Sequence, residues 1–500
     1  MAKKVFYGDD ARTRVLGGAK ALYDAVKVTY GPKGGNVVIA KSYGGPTVTH
    51  DGVTVAEGVD LPENDDETLG YKVGAELIKQ AATKLNKVAG DGTTTVTVLT
   101  YNILKEANRL IAAGHNPQEL RKGIEEAGRE VVAELDKISE SIEGKNARVA
   151  EVATISAGSQ EIGELIAGVI DKIGKDGVVT VEAGQGLEME SEVVEGFSLD
   201  RGFTSALFVT DINRQEAVYD KPAIVITDKK LSSIQDVAPI LEKLAQAGKK
   251  DLVLIADEVE GEALSVMVLN KLKGVFNSVA VKAPSFGDRR KEILEDIAVL
   301  TGATVISEER GMNFDNVGLD VIGSARKVIV GKDETTIIEG AGAKKEVESR
   351  IGLIVAQSDN AQSSYDKSEL DKRAAALSGK VAVIKVGGAS ETEIDEKKFR
   401  VDDAVAATKA ALAEGIVAGG GVALLRARNV LAKIKPANSD ETTGIQIVFK
   451  AVEAPLRTIV ENAGGEGSVV IAKVLDGRNS TGYNAKTEQY VDMFRAGIID

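Results

Sequence analysis

The stretch Ala89-Gly90-Asp91-Gly92-Thr93-Thr94-Thr95 leads directly into an apolar-periodic run from Val96 to Ala113. Its two glycines allow the backbone to approach a ligand closely, and they flank a single carboxylate. Three hydroxyl groups follow where a helix begins, beside amide groups that have no partner within the helix. The pattern predicts a phosphate-binding turn with a metal-binding acid built into it. A tight turn with a threonine N-cap is the alternative.

The composition limits the class of protein to which the chain can belong. Its 500 residues allow about three domains, and contents of 43% hydrophobic and 28% charged residues are typical of globular proteins. The net charge of −14 argues against a nucleic-acid or anionic-membrane binder. Cysteine is absent, and the two histidines, His50 and His115, argue against a histidine-rich metal site or a Ser-His-Asp triad. Without a long apolar run or a signal segment, we expect a soluble, cytoplasmic protein.

Hydrophobic periodicity divides the chain into a helical first part, an α/β middle and a helical last part. Helices are predicted at 11–26, 69–88, 96–113 and 117–138, and strands at 36–40 and 46–50. From about residue 195, apolar strands alternate with amphipathic helices, the strands being 223–227, 252–256, 279–281 and 304–306. Helical patterns return at 402–415, 418–431 and 443–463. Insertion of one domain into another would give this order, with the two crossings as hinges.

No Walker motif (Gly-x4-Gly-Lys-Ser/Thr) is present, so phosphate binding would depend on separate loops. Nine stretches carry a resemblance instead: Val28-Thr-Tyr-Gly-Pro-Lys-Gly-Gly-Asn-Val-Val, Asp51-Gly-Val-Thr-Val, Ala89-Gly-Asp-Gly-Thr-Thr-Thr, Thr154-Ile-Ser-Ala, Asp200-Arg-Gly, Val259-Glu-Gly-Glu-Ala-Leu, Lys282-Ala-Pro-Ser-Phe-Gly-Asp-Arg-Arg, Gly415-Ile-Val-Ala-Gly-Gly-Gly-Val-Ala-Leu and Gly482-Tyr-Asn-Ala. In this order, and over essentially the whole chain, the sequence resembles the group I chaperonins of the bacterial GroEL type.

The resemblance implies a multi-domain α and α/β fold. A helical equatorial domain (1–137 and 413–500) would bind ATP, and a small α+β intermediate domain (138–194 and 381–412) would act as a hinge. An α/β apical domain (195–380), inserted in the middle, would bind non-native polypeptide clients and a co-chaperonin lid. The implied function is an ATP-driven folding chaperone that forms homo-oligomeric, seven-membered rings, stacked in pairs.

The resemblance also assigns a nucleotide site residue by residue. The residues that would surround ATP are Thr29, Tyr30, Gly31, Pro32, His50, Gly92, Thr93, Thr94, Thr95, Gly420, Asn484, Ala485, Lys486 and Asp500. Asp91 would bind Mg²⁺, and K⁺ is allowed as a second cation. Asp403 would orient or deprotonate the attacking water, and Asp51 would lie near the same water. From the residues alone, an acid at a helix N-terminus remains the alternative for Asp403, and a turn acid for Asp51.

A second predicted site concerns the helix at 261–273, whose apolar side chains reach almost all the way round. Such a helix is either wholly buried or presents part of its surface to a partner. The neighbouring segment 232–247 is similar. The resemblance selects the second interpretation, with clients and the lid binding to Phe203, Leu207, Phe208, Ala238, Leu241, Leu264, Val268 and Leu269. Aliphatic side chains without fixed polar contacts suit a binder that accepts many sequences.

Several positions depart from the family pattern. His50 stands where the family has a lysine, and since imidazole is largely neutral at pH 7, we expect weaker or more pH-dependent nucleotide binding. Smaller departures are Gly158 for an asparagine, Lys486 for an alanine, Leu207 for an aromatic residue and Ala238 for a larger aliphatic one. The family continues a few dozen residues past Asp500, so we expect exposed equatorial apolar surface and weaker assembly in this chain.

Three other interpretations compete with a folding cage. A small-molecule ATP-dependent enzyme, such as a kinase, would need a specific polar pocket opposite the phosphates, and the sequence contains no such cluster. A ring-forming ATP-binding scaffold, or an assembly-impaired chaperonin fragment that binds clients without a productive cycle, stays an alternative, although the presence of Asp51, Asp91 and Asp403 together argues against an inactive ATPase. The self-closing archaeal and eukaryotic chaperonins are nearer, but the stretch from Lys282 to Arg290 matches the bacterial type.

Overall fold

Helices dominate the first and last parts of the chain and strands its middle. The computed structural model describes residues 5–40, 46–61, 68–175, 177–184, 186–211, 214–361, 363–478 and 480–500. Its helices are α1 (Gly8–Val26), α2 (Gly52–Gly58), α3 (Tyr71–Ala89), α4 (Thr93–Ala112), α5 (Pro117–Ile138), α6 (Asn146–Ala157), α7 (Gln160–Ile173), α8 (Ile234–Gln246), α9 (Gly261–Leu272), α10 (Gly287–Thr301), α11 (Lys344–Asn360), α12 (Ser364–Leu377), α13 (Glu391–Glu414), α14 (Val422–Ala427), α15 (Ser439–Ala451), α16 (Ala454–Asn462) and α17 (Gly467–Asp476).

Most of the strands lie between α7 and α13. They are β1 (Val37–Ile39), β2 (Thr47–Thr49), β3 (Val178–Ala183), β4 (Glu190–Leu199), β5 (Ala217–Asp220), β6 (Ala223–Ile226), β7 (Lys230–Leu231), β8 (Asp251–Ala256), β9 (Glu258–Val259), β10 (Asn277–Lys282), β11 (Gly323–Val330), β12 (Thr335–Gly340), β13 (Lys380–Val386), β14 (Thr481–Asn484) and β15 (Gln489–Asp492). Contacts between residues separate two compact units, Met1–Asp171 with Gly388–Asp500 as the first and Lys172–Gly387 as the second. The division into equatorial, intermediate and apical domains stays a prediction.

The first unit is helical, and its helices pack closely because small residues stand at their crossings. A side chain at Gly123 on α5 would collide with the backbone of α15 at Glu441 and Gly444. The same pair of helices buries Val131 and Val448. A second cluster joins α1, α3 and α4 through fully buried side chains, which include Leu22 and Ile78. These contacts fix α4, through Tyr101, against α1 and α3.

The second unit is built on a sheet whose strands follow the order β10-β8-β6-β11-β12-β4-β13-β3, with β5 also paired to β11. Strands β6, β8 and β10 are parallel, and helices α8 and α9 connect them in the chain. Leu252 to Ala256 are all fully buried, which explains why β8 reads as a continuous apolar run. Antiparallel pairing of β11 with β12 and of β12 with β4 extends the sheet.

The mixed helical and α/β architecture predicted from the sequence is confirmed. The strands predicted at 223–227, 252–256 and 279–281 correspond to β6, β8 and β10. The strand predicted at 304–306 is wrong, because Ile306 forms only an isolated bridge with Thr227. The helix predicted at 443–463 is two helices, since α15 ends at Ala451 and α16 begins at Ala454, followed by Pro455 in its first turn.

Candidate functional site

The predicted phosphate-binding turn lies between the end of α3 and the start of α4. Gly90 (φ 63°) is the C-cap of α3 and Gly92 (φ 80°) the N-cap of α4, and both adopt the left-handed conformation that favours glycine. Gly92 has no side chain to cap α4, and its own amide donates to Oδ1 of Asp91 at 2.6 Å. The first-turn amides of α4 are therefore available to an anion.

Asp51 and Gly52 bring a second helix start against this turn. The Asp51 carboxylate caps α2 by accepting hydrogen bonds from the backbone amide (2.7 Å) and the hydroxyl (2.6 Å) of Thr54. A side chain at Gly52 would overlap with the hydroxyl of Thr94. Asp51 is therefore more than a turn acid, because it is the N-cap of α2, a short helix that contacts α4.

Asp403 lies in the interior of α13, close to the same turn. Since α13 begins at Glu391, the alternative that Asp403 is an acid at a helix N-terminus is wrong. A methyl group at Gly90 would lie only 2.6 Å from the backbone oxygen of Asp403, so α13 directly contacts the turn. The Asp403 carboxylate also forms a hydrogen bond with the side chain of Asn86, near the end of α3.

The carboxylates of this region influence one another electrostatically. Desolvation, followed by the negative charges of Asp51, Asp402 and Asp91, raises the pKa of Asp403 to about 7. Part of the Asp91 side chain is exposed to solvent, but many protein atoms lie close to it. The resulting desolvation, together with the charge of Asp51, raises the pKa of Asp91. Asp500 is similarly placed, and burial together with Asp91 raises its pKa to about 6. Such a concentration of carboxylates favours a bound cation.

The loop from Thr29 to Pro32 is fixed at the same place. The Tyr30 hydroxyl hydrogen-bonds with the Thr95 hydroxyl of α4 at 2.6 Å. The side-chain amide of Asn462 donates to the backbone oxygens of Lys27 (2.8 Å) and Tyr30 (2.9 Å). Sequence reasoning missed Asn462, because nothing near the end of α16 indicates a contact with a loop more than 400 positions earlier.

The end of the chain brings Gly420 and Asp500 to this region. Asp500 exchanges two backbone hydrogen bonds with Val417, of 2.8 and 3.0 Å. Gly420 (φ 64°) and Gly421 (φ 77°) follow in left-handed conformations. Asp500, which pairs with Val417, is close enough to Asp91 for the charge of Asp91 to raise the pKa of Asp500.

Asn484, Ala485 and Lys486 occupy the hairpin formed by β14 and β15. The Asn484 side-chain oxygen accepts from the backbone amide of Lys486 at 3.0 Å, and Ala485 is buried. Glu488, at the same hairpin, forms an ion pair of 2.5 Å with Lys33. This ion pair joins the hairpin to the residue after Pro32, and so to the predicted nucleotide loop.

His50 is exposed at the end of β2, next to Asp51. Gly31 and Pro32 are also exposed, whereas Thr29 and Thr93 are buried. No contact of the His50 ring among the described residues indicates a role for it. The structure thus brings together Asp51, Asp91, Asp403 and the α4 hydroxyls. His50 is next to this group only because it precedes Asp51 in the chain.

The donor set can be tested against a magnesium ion. Among the described residues, no group of three or more His, Cys, Asp or Glu side chains could hold a metal by itself. Mg²⁺ in nucleotide sites is commonly held by one or two carboxylates, by phosphate oxygens and by several waters. Asp91, on a turn beside helix amides that can bind phosphate, fits that arrangement. The described residues do not fit a site in which protein side chains alone hold the metal.

The predicted client-binding residues lie in the second unit with different degrees of exposure. Leu207 is 56% exposed and Leu269 52%, whereas Phe208 is fully buried and Val268 is 8% exposed. Phe203, Ala238, Leu241 and Leu264 are partly buried. Helix α9 is therefore neither wholly buried nor wholly free, because Ala263 and Met267 face the core while Leu269 and Leu272 face solvent. Phe208 and Val268 are core residues in this structure. Because a buried side chain cannot contact a partner, neither is available to a client in this conformation.

Phe203 also lines a cavity of about 620 Å³ in the second unit. Charged side chains surround it, and they include Arg201, Glu258 and Lys282. Lys282 and Glu258 form an ion pair at 3.1 Å, so part of this charge is compensated within the wall.

A comparison with protein families identifies the family of the chain. Within the parts of the chain that the structure describes, no helix combines the length and apolarity needed to cross a membrane. The model of the TCP-1/cpn60 chaperonin family matches residues 22–500. The match includes every residue of the turn, the carboxylates and the C-terminal segment described above. The chain therefore belongs to the TCP-1/cpn60 chaperonin family, a family of protein-folding chaperones.

Proposed function

We propose that this chain is an ATP-dependent chaperonin of the bacterial GroEL type. It binds non-native polypeptides and, with a co-chaperonin lid, encloses them for folding. Its subunits form seven-membered rings, stacked in pairs, and its ATPase requires Mg²⁺ and accepts K⁺ as a second cation. The family membership and the motif order support this proposal, and the geometry around α4 supports its chemistry.

One observation carries the proposal: the first turn of α4 has no side-chain cap and is surrounded by carboxylates. Free amides at a helix start attract phosphate, whereas carboxylates repel it unless a cation lies between them. A magnesium–nucleotide complex satisfies both requirements, because it presents phosphate oxygens to the amides and a metal to Asp91. Neither a phosphate nor a cation alone satisfies both groups.

The residues then divide the work of hydrolysis. The amides and hydroxyls of Thr93 to Thr95 bind phosphate oxygens, and Asp91 holds Mg²⁺, which neutralises charge on the phosphates when bound. Asp403 accepts a proton from the attacking water, and its pKa of about 7 suits a base that works near neutral pH. Asp51 lies beside the same turn and favours a water oriented between the two acids.

Client binding belongs to the second unit. Leu207 and Leu269 are large apolar side chains that are more than half exposed, and the segment Ala206–Phe208 packs against α9, so the two leucines can belong to one apolar patch of the kind that marks an interaction site. Partly exposed neighbours, Phe203, Leu241 and Leu264, would extend the surface. Such a surface binds through burial of apolar area and therefore accepts many sequences.

The experiment measures ATP turnover and the refolding of an aggregation-prone client, each with and without lid protein. The variants are Asp403→Ala and, as a matched control, Glu414→Gln, which removes an exposed acid from the same helix. We expect Asp403→Ala to lower turnover about a hundredfold or more and to retain nucleotide binding, because it removes a general base. Glu414→Gln should turn over like the wild type. Unchanged turnover in Asp403→Ala would contradict the mechanism.

The metal assignment is tested by calorimetry with ATP in the presence and absence of Mg²⁺. Asp91→Asn should bind Mg²⁺–ATP at least about tenfold more weakly, a loss of about 1.4 kcal/mol, because it removes the charged oxygen ligand. Its affinity without Mg²⁺ should equal or exceed that of the wild type, since one negative charge beside the phosphates is gone. A wild type that binds clients without ATP turnover would favour the scaffold interpretation instead.

A further inference from the structure

The ammonium group of Lys271 lies where the last turn of α9 meets the segment Ala206–Phe208. Its Nζ atom donates to the backbone oxygen of Val209 at 2.6 Å and to that of Leu207 at 3.2 Å. These hydrogen bonds cross 62 and 64 positions of sequence, and they attach the segment to the helix. Lys271 therefore holds the backbone on which the exposed Leu207 side chain is carried.

Apolar side chains lie on both sides of this ammonium group. Leu207 is 56% exposed on the segment, and Leu272, the residue after Lys271, is 64% exposed on the helix. Leu264 lies about two helical turns before Lys271, on the same side of α9. A positive charge thus stands inside an apolar patch of the second unit.

The charge of Lys271 is not compensated by an acid of this chain. Burial lowers the pKa of Lys271, and in the described part of the chain no carboxylate pairs with it or raises that pKa. Lys230, by contrast, forms ion pairs of 3.0 Å with both Glu258 and Glu260. A carboxylate supplied by a ligand would therefore be the first acid beside the Lys271 ammonium.

A count of protons shows that one donor of Lys271 is still available. A lysine ammonium carries three N–H groups. Lys243 directs all three to backbone oxygens, those of Phe314, Asp315 and Val317, at 2.7, 2.8 and 2.8 Å, so its role is structural. Lys271 uses two on the neighbouring segment, and its third has no acceptor among the residues that the structure describes.

We propose that Lys271 makes the apolar surface around Leu207 and Leu264 select polypeptide segments that carry a carboxylate beside apolar side chains. The inference rests on the proposed client-binding function and names a chemical class of client within it. The apolar side chains of such a segment cover the leucines, and its Asp or Glu accepts the third N–H of Lys271 in a charge-assisted hydrogen bond. The surface still accepts many sequences, but it ranks them by charge.

The test uses the full chain and two fluorescent peptides of one apolar sequence, which differ only in a central Glu or Gln. Fluorescence anisotropy measures the Kd of each peptide. We expect the wild type to bind the Glu peptide about fivefold more tightly, the upper end for a surface ion pair. The net charge of −14 would by itself produce the opposite order, because it repels the acidic peptide.

Two variants locate the preference. Lys271→Met should bind the Glu peptide about fivefold more weakly than the wild type and the Gln peptide within about twofold of it, because only the ion pair is lost. Lys273→Met is the matched control, since it removes the same charge from the exposed C-cap of α9, two positions further on. This control should keep the preference for Glu. Urea midpoints report whether each variant is folded.

The wild type provides a second measurement, which decides the matter if Lys271→Met does not fold. A carbodiimide condenses the carboxylate of the bound Glu peptide with the nearest amine, and mass spectrometry identifies the lysine that carries the peptide. We expect coupling at Lys271. Coupling at Lys273 without coupling at Lys271 would overturn the inference.

The binding data have equally definite consequences. A Glu preference that persists in Lys271→Met, or that is lost equally in Lys273→Met, would overturn the role of Lys271. So would a wild type that binds the two peptides equally. Each of these results leaves the proposed client binding in place, whereas a wild type that binds neither peptide would overturn client binding and the inference together.

Discussion

The raised pKa of Asp403 has a measurable effect on stability, which the Asp403→Asn variant should reveal. In the folded chain this carboxyl has a pKa of about 7, against an ordinary value of 3.8, because it is desolvated and lies near Asp51, Asp402 and Asp91. Between these pH values the folded state holds a proton that the unfolded state has released. The contribution of Asp403 to stability is therefore most favourable below about pH 4, falls as the pH rises to about 7, and is constant above that.

The size of the effect follows from the two pKa values. At about 1.4 kcal/mol per pH unit, the interval from 3.8 to about 7 corresponds to about 4 kcal/mol of folding free energy at pH 8. At pH 5 only about 2 kcal/mol of this penalty is present. An asparagine has no charge to desolvate, so Asp403→Asn should exceed the wild type in stability by about 4 kcal/mol at pH 8 and about 2 kcal/mol at pH 5.

The assay is urea unfolding of the nucleotide-free full chain, followed by circular dichroism at a fixed protein concentration. Glu414→Gln serves as the control, because it removes an exposed acid from the same helix and should show no comparable dependence on pH. An Asp403→Asn variant no more stable than the wild type at pH 8 would refute the reasoning. So would a stability difference that stays constant from pH 5 to pH 8.

Three further tests, two of them with a control variant, address other parts of the structure. Gly52→Ala should destabilise the protein by about 1–3 kcal/mol and weaken nucleotide binding, because the added methyl group has no space. As a control, Gly128→Ala lies in open space within α5 and should stabilise the protein by up to about 1 kcal/mol. Thermal unfolding measures both changes. Leu269→Glu should reduce the capture of an unfolded client, and the equally polar change at exposed Leu353 should not, as scored by suppression of aggregation. His50→Lys should tighten ATP binding and reduce its dependence on pH from 6 to 8; unchanged affinity would remove His50 from the site.

The parts of the fold that the sequence predicts are those with a strong local pattern. The long helices and the buried strands β6, β8 and β10 have clear periodicity or continuous apolar runs, and they occur where expected. Helix α2 escaped prediction because Gly-Val-Thr-Val-Ala-Glu-Gly is short and contains β-branched residues, which favour strands. Its formation depends on the Asp51 cap, a tertiary and local combination that periodicity does not reveal.

The candidate site divides in the same way. Gly90 and Gly92 were predictable, because a glycine-flanked acid before a helix has a local conformational reason. The approach of Tyr30 to Thr95 and the anchoring by Asn462 were not, since each joins positions far apart in sequence. Likewise, the burial of Phe208 could not be inferred from its apolar character, which suits a core and a client surface equally.

The single hydrogen atom at position 90 has a further consequence. Because Gly90 has no side chain, α13 lies against the turn with the backbone oxygen of Asp403 within 2.6 Å of where a methyl group would be. An alanine there would be strained at φ 63° and would push α13, which carries Asp403, away from the turn. If hydrolysis times the folding cycle, position 90 is a place where the dwell time of an enclosed client could be lengthened by design, without altering any catalytic group.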